Sequence, residues 1–342
     1  MTSRLLGTFG LAAIMAGLVI ADDKLAAQSP ATKKIINQAM EAANDDLPKG
    51  ISLLEKALSS APNDREALYL LAAMSTLRAD KAEDKAERIA AFRKATASFA
   101  RLRTLYPDLT SYEKRFAARS RLGEARALAL EGKTQESLGA IKEAIAAGFD
   151  DFEAIESEKD LETVLKLPEL RDAIASAYRA KVAEEKQAVA EEISQQKPYP
   201  FDFQLKDTDE KTVSLADSKG KVTIVDLWGT WCPPCREEIP HFVDLYRDYK
   251  PKGLEIVGIN CNEEGTREEV KKTIKDFAAK NKIEYPCLLN DEKTEEKIPH
   301  FDAYPTTLLL DRTGKVRLTL VGYIPKAKLE AAVIILLAEE KL

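Results

Sequence analysis

The sequence predicts a two-domain α+β protein, an all-α region followed by an α/β domain, and three observations predict it. A stretch from about 30 to 196 is dominated by alanine, leucine, lysine and glutamate with a 3.6-residue period. Pro198 and Pro200 then interrupt any helix. Beyond Phe201, short β-branched runs alternate with amphipathic stretches, the grammar of strands covered by helices. At 342 residues the chain is long for one domain and comfortable for two.

Charge narrows the function. The net charge is -6 and neither half is strongly basic, which argues against nucleic acid as a partner, because phosphate binding needs a lysine/arginine excess on one face. The acidity reads as a contribution to solubility.

The N-terminus reads as a secretory signal peptide over residues 1–21. Arg4 precedes an apolar run from Leu5 to Ile20, and Val19 and Ala21 fit the small-residue rule for cleavage. Ala26 and Ala27 offer a second cleavage site. The alternative is an uncleaved anchor, for which about 16 apolar residues is short, since a span needs about 20. No cysteine follows the run, which argues against a lipoprotein anchor, and no later segment is apolar enough to span a membrane. A secreted or periplasmic location is expected.

In the helical region, 30–196, glycine and proline fall between periodic stretches. Leu54, Ala57 and Pro62 recur in frame as Phe99, Leu102 and Pro107, with Ala95 ahead of them. Ile141 and Ala144 keep the frame, with Phe149 in place of the proline. This resembles the second helix of a tetratricopeptide repeat. The separation between repeats exceeds the usual ~34 residues, and the charged stretch Asp80 to Arg88 reads as an insertion. A generic antiparallel bundle is the alternative, and both readings put helix pairs side by side.

The second domain, 198–342, opens with a short strand at Thr212–Leu215. Lys221–Trp228 and Leu254–Cys261 read as buried strands. Cys235–Tyr249 and Arg267–Asn281 read as helices. A brief strand at Pro286–Leu289 follows. Thr306–Leu310 and Val316–Val321 form a hairpin around Asp311-Arg312-Thr313-Gly314, and a last helix covers Lys326–Glu340.

The chemistry lies in Trp231-Cys232-Pro233-Pro234-Cys235, after a buried strand and at the start of a helix. The nucleophile of disulfide exchange is a thiolate. A helix N-terminus stabilises one through its partial positive charge and unpaired N–H groups. Cys235, three residues on, returns to the same side of the first turn and can close a small ring with Cys232. Pro233 and Pro234 are tolerated in the first turn, and they withhold two N–H donors from the sulfur. The thiolate is therefore expected to be less stabilised than in strong oxidants, which leans toward a reductant.

With its surroundings, this motif resembles the thioredoxin superfamily, and within it the exported TlpA/ResA-like thiol–disulfide oxidoreductases, which overlap in sequence with peroxiredoxin-type (AhpC/TSA-like) domains. The resemblance runs from about Pro198 to Leu342. It is carried by Gly220 through Trp228, Gly229-Thr230, the motif itself, Arg236-Glu237-Glu238-Ile239-Pro240, and Tyr304-Pro305-Thr306-Thr307. It implies that Cys232 attacks a substrate disulfide and that Cys235 resolves the mixed disulfide. It also implies that Pro305 is a cis-proline beside the substrate. Asp226 stands where thioredoxins carry a buried acid that relays a proton for Cys235, although many exported relatives lack one. The alternative for Asp226 is a strand residue paired with a lysine. Trp231 and Tyr304 are expected at the rim of the site in contact with substrate, and packing is the alternative for Tyr304. No cofactor is implied. The expected partners are client proteins with disulfides or thiols, and a thiol protein that exchanges electrons with Cys232 and Cys235.

Cys261 and Cys287 fall on buried strands and read as small hydrophobes, with a second disulfide open only if their strand positions match. Zinc binding needs about four ligands, and one C-x-x-C with two distant histidines does not supply them. Covalent haem attachment would need a histidine where Arg236 stands. Peroxiredoxins carry a threonine three residues before the reactive cysteine, where this chain has Gly229, so peroxidase activity is the disfavoured enzyme alternative. A non-catalytic protein-binding scaffold is the other alternative, with the helical region choosing the partner.

Overall fold

The computed structural model describes residues 29–291 and 293–339. The signal peptide expected at 1–21 lies outside them. Packing divides the chain into two compact units, one ending at Tyr178 and the other beginning at Arg179.

The first unit is all helical. Helices α1 (Pro30–Asp45), α2 (Leu47–Ser60), α3 (Arg65–Lys81), α4 (Lys85–Leu105), α5 (Ser111–Leu130) and α6 (Thr134–Ala146) are followed by the short α7 (Phe152–Ser157) and α8 (Glu162–Leu165). The long α9 (Pro168–Gln195) begins in this unit. Their starts are written in the sequence. Ser29, Asp46, Asp64 and Asp84 cap α1 to α4 by accepting a first-turn backbone N–H, and Thr110 with Glu113 forms a reciprocal capping box on α5. Consecutive helices from α1 to α6 pack on one another. Leu54, Ala57, Phe99, Leu102, Ile141 and Ala144, which carry the repeat-like pattern, are all buried.

The charged stretch from Asp80 to Arg88 does not form a loop of its own. It is the end of α3, a short turn and the start of α4. Asp80 pairs with the buried Arg126 at 2.6 Å and Arg88 with Asp160 at 2.5 Å. Arg126 also pairs with Asp160 and Glu158, and it stacks 4.4 Å over Phe92. The charges follow a buried ionic knot rather than an inserted surface.

The second unit is one eight-stranded mixed sheet with helices. Its strands are β1 (Tyr199–Pro200), β2 (Gln204–Asp207), β3 (Thr212–Ser214), β4 (Val222–Trp228), β5 (Leu254–Asn260), β6 (Cys287–Leu289), β7 (Thr306–Leu310) and β8 (Lys315–Val321). They stand in the order β1-β8-β7-β4-β5-β6-β2-β3. β4, β5 and β6 run parallel, and β7 lies antiparallel to β4. Parallel neighbours need crossovers, which α10 (Pro233–Tyr249) and α11 (Arg267–Asn281) supply. A last helix, α12, covers Lys326–Ala338. Every residue of β4 is buried, as a β-branched central strand covered on both faces should be. Asp311-Arg312-Thr313-Gly314 makes the β7–β8 turn, with Gly314 at φ 83°, a conformation glycine adopts without strain.

Candidate active site

The end of β4 delivers the chain into α10 at the edge of the sheet where its parallel strands finish, the usual place for chemistry in such sheets. Cys232 is the N-cap of α10. It forms a disulfide with Cys235, S–S 2.06 Å and Cα–Cα 5.3 Å. Cys232 Sγ accepts from the Cys235 backbone N–H at 3.3 Å. Pro233 and Pro234 fill the positions between and carry no N–H. The disulfide is nearly closed to solvent, with Cys232 2% and Cys235 1% exposed, whereas the neighbouring Trp231 is 48% exposed.

Pro305 is buried and follows a cis Tyr304–Pro305 bond. The pairing of Leu227 with Thr306 brings the start of β7 beside the end of β4, so Pro305 lies at the edge from which the cysteine motif departs. Its carbonyl accepts from the Gly322 N–H at 2.8 Å. Trp231 and Tyr304, far apart in sequence, meet edge-to-face with ring centroids 5.6 Å apart.

Asp226 is buried in the middle of β4, opposite Gly258 on β5 and Thr307 on β7. Among the described residues its Oδ1 has no hydrogen-bond partner, and no lysine pairs with it. Burial pushes its carboxyl up to about 8. The residue the sequence reading passed over is Glu238. It is 0% exposed on α10, and among the described residues neither carboxylate oxygen makes a hydrogen bond of normal geometry. Burial first, then the charge of Asp226, push it up to about 9, against an opposing pull from the Ile324 backbone N–H. Two neighbouring carboxyls without a counter-charge favour the neutral form for both. A signal for Glu238 was present. Cys235, Glu238, Ile239 and Phe242 recur at the spacing of one helix face, and all four are buried, so Glu238 interrupts an apolar stripe.

The strand register decides the remaining cysteines. Cys287 sits opposite Gly258, three positions from Cys261 on β5's line. At ~3.3 Å per residue that is about 10 Å and the opposite face of the sheet, too far for a disulfide. Both thiols are free and buried. Burial pushes Cys287 up to about 12 and raises Cys261 as well. Gly229 is also explained: a Cβ there would stand 2.3 Å from Trp231 Nε1, so the indole occupies the space a threonine side chain would need. Among the described residues no helix is long and apolar enough to cross a membrane, and no cluster of metal-ligating side chains occurs.

Comparison with known proteins places similarity on this second unit. The model of the AhpC/TSA family matches residues 195–319. The thiol-disulfide oxidoreductase ResA of Bacillus subtilis (strain 168) is 32% identical over 120 residues, covering 35% of this chain and 64% of its own. The chain thus spans slightly less than two-thirds of that relative. ResA of Geobacillus kaustophilus is 32% identical over 129 residues, covering 38% of this chain and 71% of its own. Among solved structures, a putative thiol:disulfide interchange protein DsbE from Chlorobium tepidum is 29% identical at TM-score 0.36, covering 40% of this chain and 94% of its own. StoA from Bacillus subtilis is 28% identical at TM-score 0.33, covering 39% of this chain and 96% of its own.

Proposed function

The chain belongs to the ResA-like thiol–disulfide oxidoreductases of the thioredoxin superfamily, and from that membership we propose that Cys232 and Cys235 are its redox couple, acting on protein disulfides as a reductant. The observation that carries the reading is the Cys232–Cys235 disulfide at the N-terminus of α10, on the same helix as a buried carboxyl held neutral beside Asp226.

In the proposed cycle the Cys232 thiolate attacks a substrate disulfide. One substrate sulfur leaves as a thiolate and the other is held as a mixed disulfide. Cys235 then loses its proton and attacks Cys232 Sγ. The second substrate sulfur leaves, and two electrons have passed from the enzyme dithiol to the substrate. The departing thiolates take up protons. In its ionised form, Glu238 or Asp226 accepts the Cys235 proton, and the neutral acid returns it. Trp231, Tyr304 and Pro305 form the rim that meets the substrate.

The donors to Cys232 Sγ support the proposed direction of electron flow. The hydrogen bond to Cys232 Sγ comes from the Cys235 N–H, with both intervening positions proline, so the thiolate is modestly stabilised and the disulfide correspondingly hard to reduce. Equilibration with glutathione or dithiothreitol buffers should give a two-electron couple near or below about -250 mV, on the scale where thioredoxin is about -270 mV. A value approaching about -120 mV would mark an oxidant. Absence of a couple, with Cys232→Ser changing nothing, would reject the enzyme reading in favour of a binding scaffold.

The helical region is assigned to partner choice within this proposal. Deletion of residues 30–178, which leaves the second unit whole, should lower activity on native clients, and unchanged activity would remove that assignment. An exported location belongs to the same proposal and rests on the Leu5–Ile20 run. Terminal sequencing of the mature protein should find Asp22 first.

A further inference from the structure

The segment joining β5 to α11 touches both loops that frame the disulfide. Asn260 Nδ2 donates to Glu263 Oε1 at 3.1 Å. Glu263 accepts from the Thr230 backbone N–H at 2.5 Å and from its hydroxyl at 2.9 Å. The Cys261 carbonyl accepts from the Trp231 indole N–H at 3.0 Å. Asn262, in the left-handed region at φ 55°, donates to the Tyr304 hydroxyl at 3.0 Å. The residues from Asn260 to Glu263 therefore hold Thr230 and Trp231, which lead into Cys232, and Tyr304, which leads into Pro305. Glu295 completes the tie. Its Oε1 accepts from the Tyr304 hydroxyl at 2.7 Å and from Asn290 Nδ2 at 2.6 Å.

Tyr304 is thus fixed at both ends. Its hydroxyl donates to Glu295 and accepts from Asn262, and its ring stands edge-on to Trp231 and to Phe301. Trp231 is anchored through its N–H yet remains half exposed. A large aromatic surface that is both immobilised and open to solvent is suited to contact rather than to packing. Ordering side chains on binding costs affinity, and a wall already ordered avoids that cost.

We propose that Glu295 and Asn262 are positioning residues that lock the Tyr304–Trp231 pair into a rigid wall beside the disulfide, so that the enzyme selects extended polypeptide disulfides over small-molecule ones. The inference rests on Cys232–Cys235 being the redox couple. A polypeptide lies along the wall on its way to Cys232. A small disulfide reaches the sulfur without needing the wall, so its reaction is insensitive to how firmly the wall is held.

The full-length mature protein and its Glu295→Ala, Glu295→Gln and Asn262→Gly variants are compared, glycine being chosen because it tolerates a positive φ. Dithiothreitol supplies electrons. The substrates are insulin and hydroxyethyl disulfide, and the redox equilibrium with dithiothreitol is read for each variant. Glu295→Ala and Asn262→Gly should lower kcat/KM for insulin about three- to tenfold, the loss expected for one hydrogen bond, mostly through KM. Their hydroxyethyl disulfide rates and redox equilibria should match the parent. Glu295→Gln should restore the insulin value, since its amide oxygen still accepts from Tyr304. In a Tyr304→Phe background Glu295→Ala should add nothing. Equal losses on both substrates, or an unchanged insulin KM, overturn the proposal. If Glu295→Ala does not fold, Tyr304→Phe alone, which keeps the ring and removes the hydroxyl, decides it by the same insulin KM. A parent protein that reacts with neither substrate defeats the redox-couple reading itself, an outcome distinct from these.

Discussion

At Asp226 and Glu238 two buried carboxyls share one interior, and burial raises both well above the usual carboxylate range. A carboxyl whose folded value is raised stabilises the fold in its protonated state. That stability is fully present below the unfolded value of about 4 and is lost as pH rises through the folded values of about 8 and 9. Replacing Glu238 by Gln removes the ionisable group and keeps the shape. Glu238→Gln should raise the thermal midpoint at pH 8 by a few degrees, on the order of 2 kcal/mol, with the gain vanishing near pH 4. Calorimetry at the two pH values checks this, and a gain that is the same at both would contradict it. The same variant should slow resolution of the mixed disulfide on the order of 10²-fold and remove the rising limb between pH 7 and about 9, read by stopped flow with a trapped peptide disulfide. Asp226 was singled out through the resemblance, because it stands where thioredoxins carry a buried acid. Glu238 carried a signal that is easily passed over: it interrupts the stripe of Cys235, Ile239 and Phe242, but Arg236-Glu237-Glu238 reads at first as an ordinary charged first turn.

Between β4 and α10, local sequence and local structure agree closely. The strand-to-helix switch, the N-cap cysteine and the two first-turn prolines all follow from short-range rules, and the structure has each of them. Glycine requirements in the same elements come from distant neighbours. A Cβ at Gly258 on β5 would stand 2.7 Å from Trp228 Nε1, and Trp228 is fully buried against Phe277, leaving it little room to move. Gly258→Ala should therefore cost about 1–3 kcal/mol, the usual range for overpacking, seen as a lowered midpoint in urea at unchanged slope. An unaffected midpoint would mean that the indole relocates freely. The strands the sequence reading missed, β1 and β2, are short. β2 pairs antiparallel with both β3 and β6, and β1 pairs with β8. Tyr199–Pro200 contains a proline and Gln204–Asp207 holds one apolar residue among polar ones, so neither carries a strand pattern of its own, and pairing with a partner's edge makes them strands.

Over the whole molecule each unit carries its own core, and α9 runs on beyond the end of the first. From Arg179 onward the helix belongs with the sheet. Glu192 pairs with Lys328 at 2.7 Å, Gln196 exchanges hydrogen bonds with Thr319, and Val189 is fully buried. A fragment starting at Arg179 should accordingly melt several degrees above one starting at Pro198, because the shorter piece loses that apolar burial and those bonds. Equal melting points would place this stretch of helix outside the folding unit. The sequence by itself determined the class of each half, the break in the helix pattern at Pro198, the β7–β8 turn and the C-x-x-C at a helix start. All of these depend on residues within a few positions of each other, where propensity and periodicity act. Tertiary structure alone decided that Glu238 faces Asp226, that Cys261 and Cys287 cannot pair, that Trp231 meets Tyr304, and that Asp80 to Arg88 feeds an ionic knot. Each depends on strand register or helix phase between segments far apart in the chain, and no local pattern encodes which distant side chain arrives.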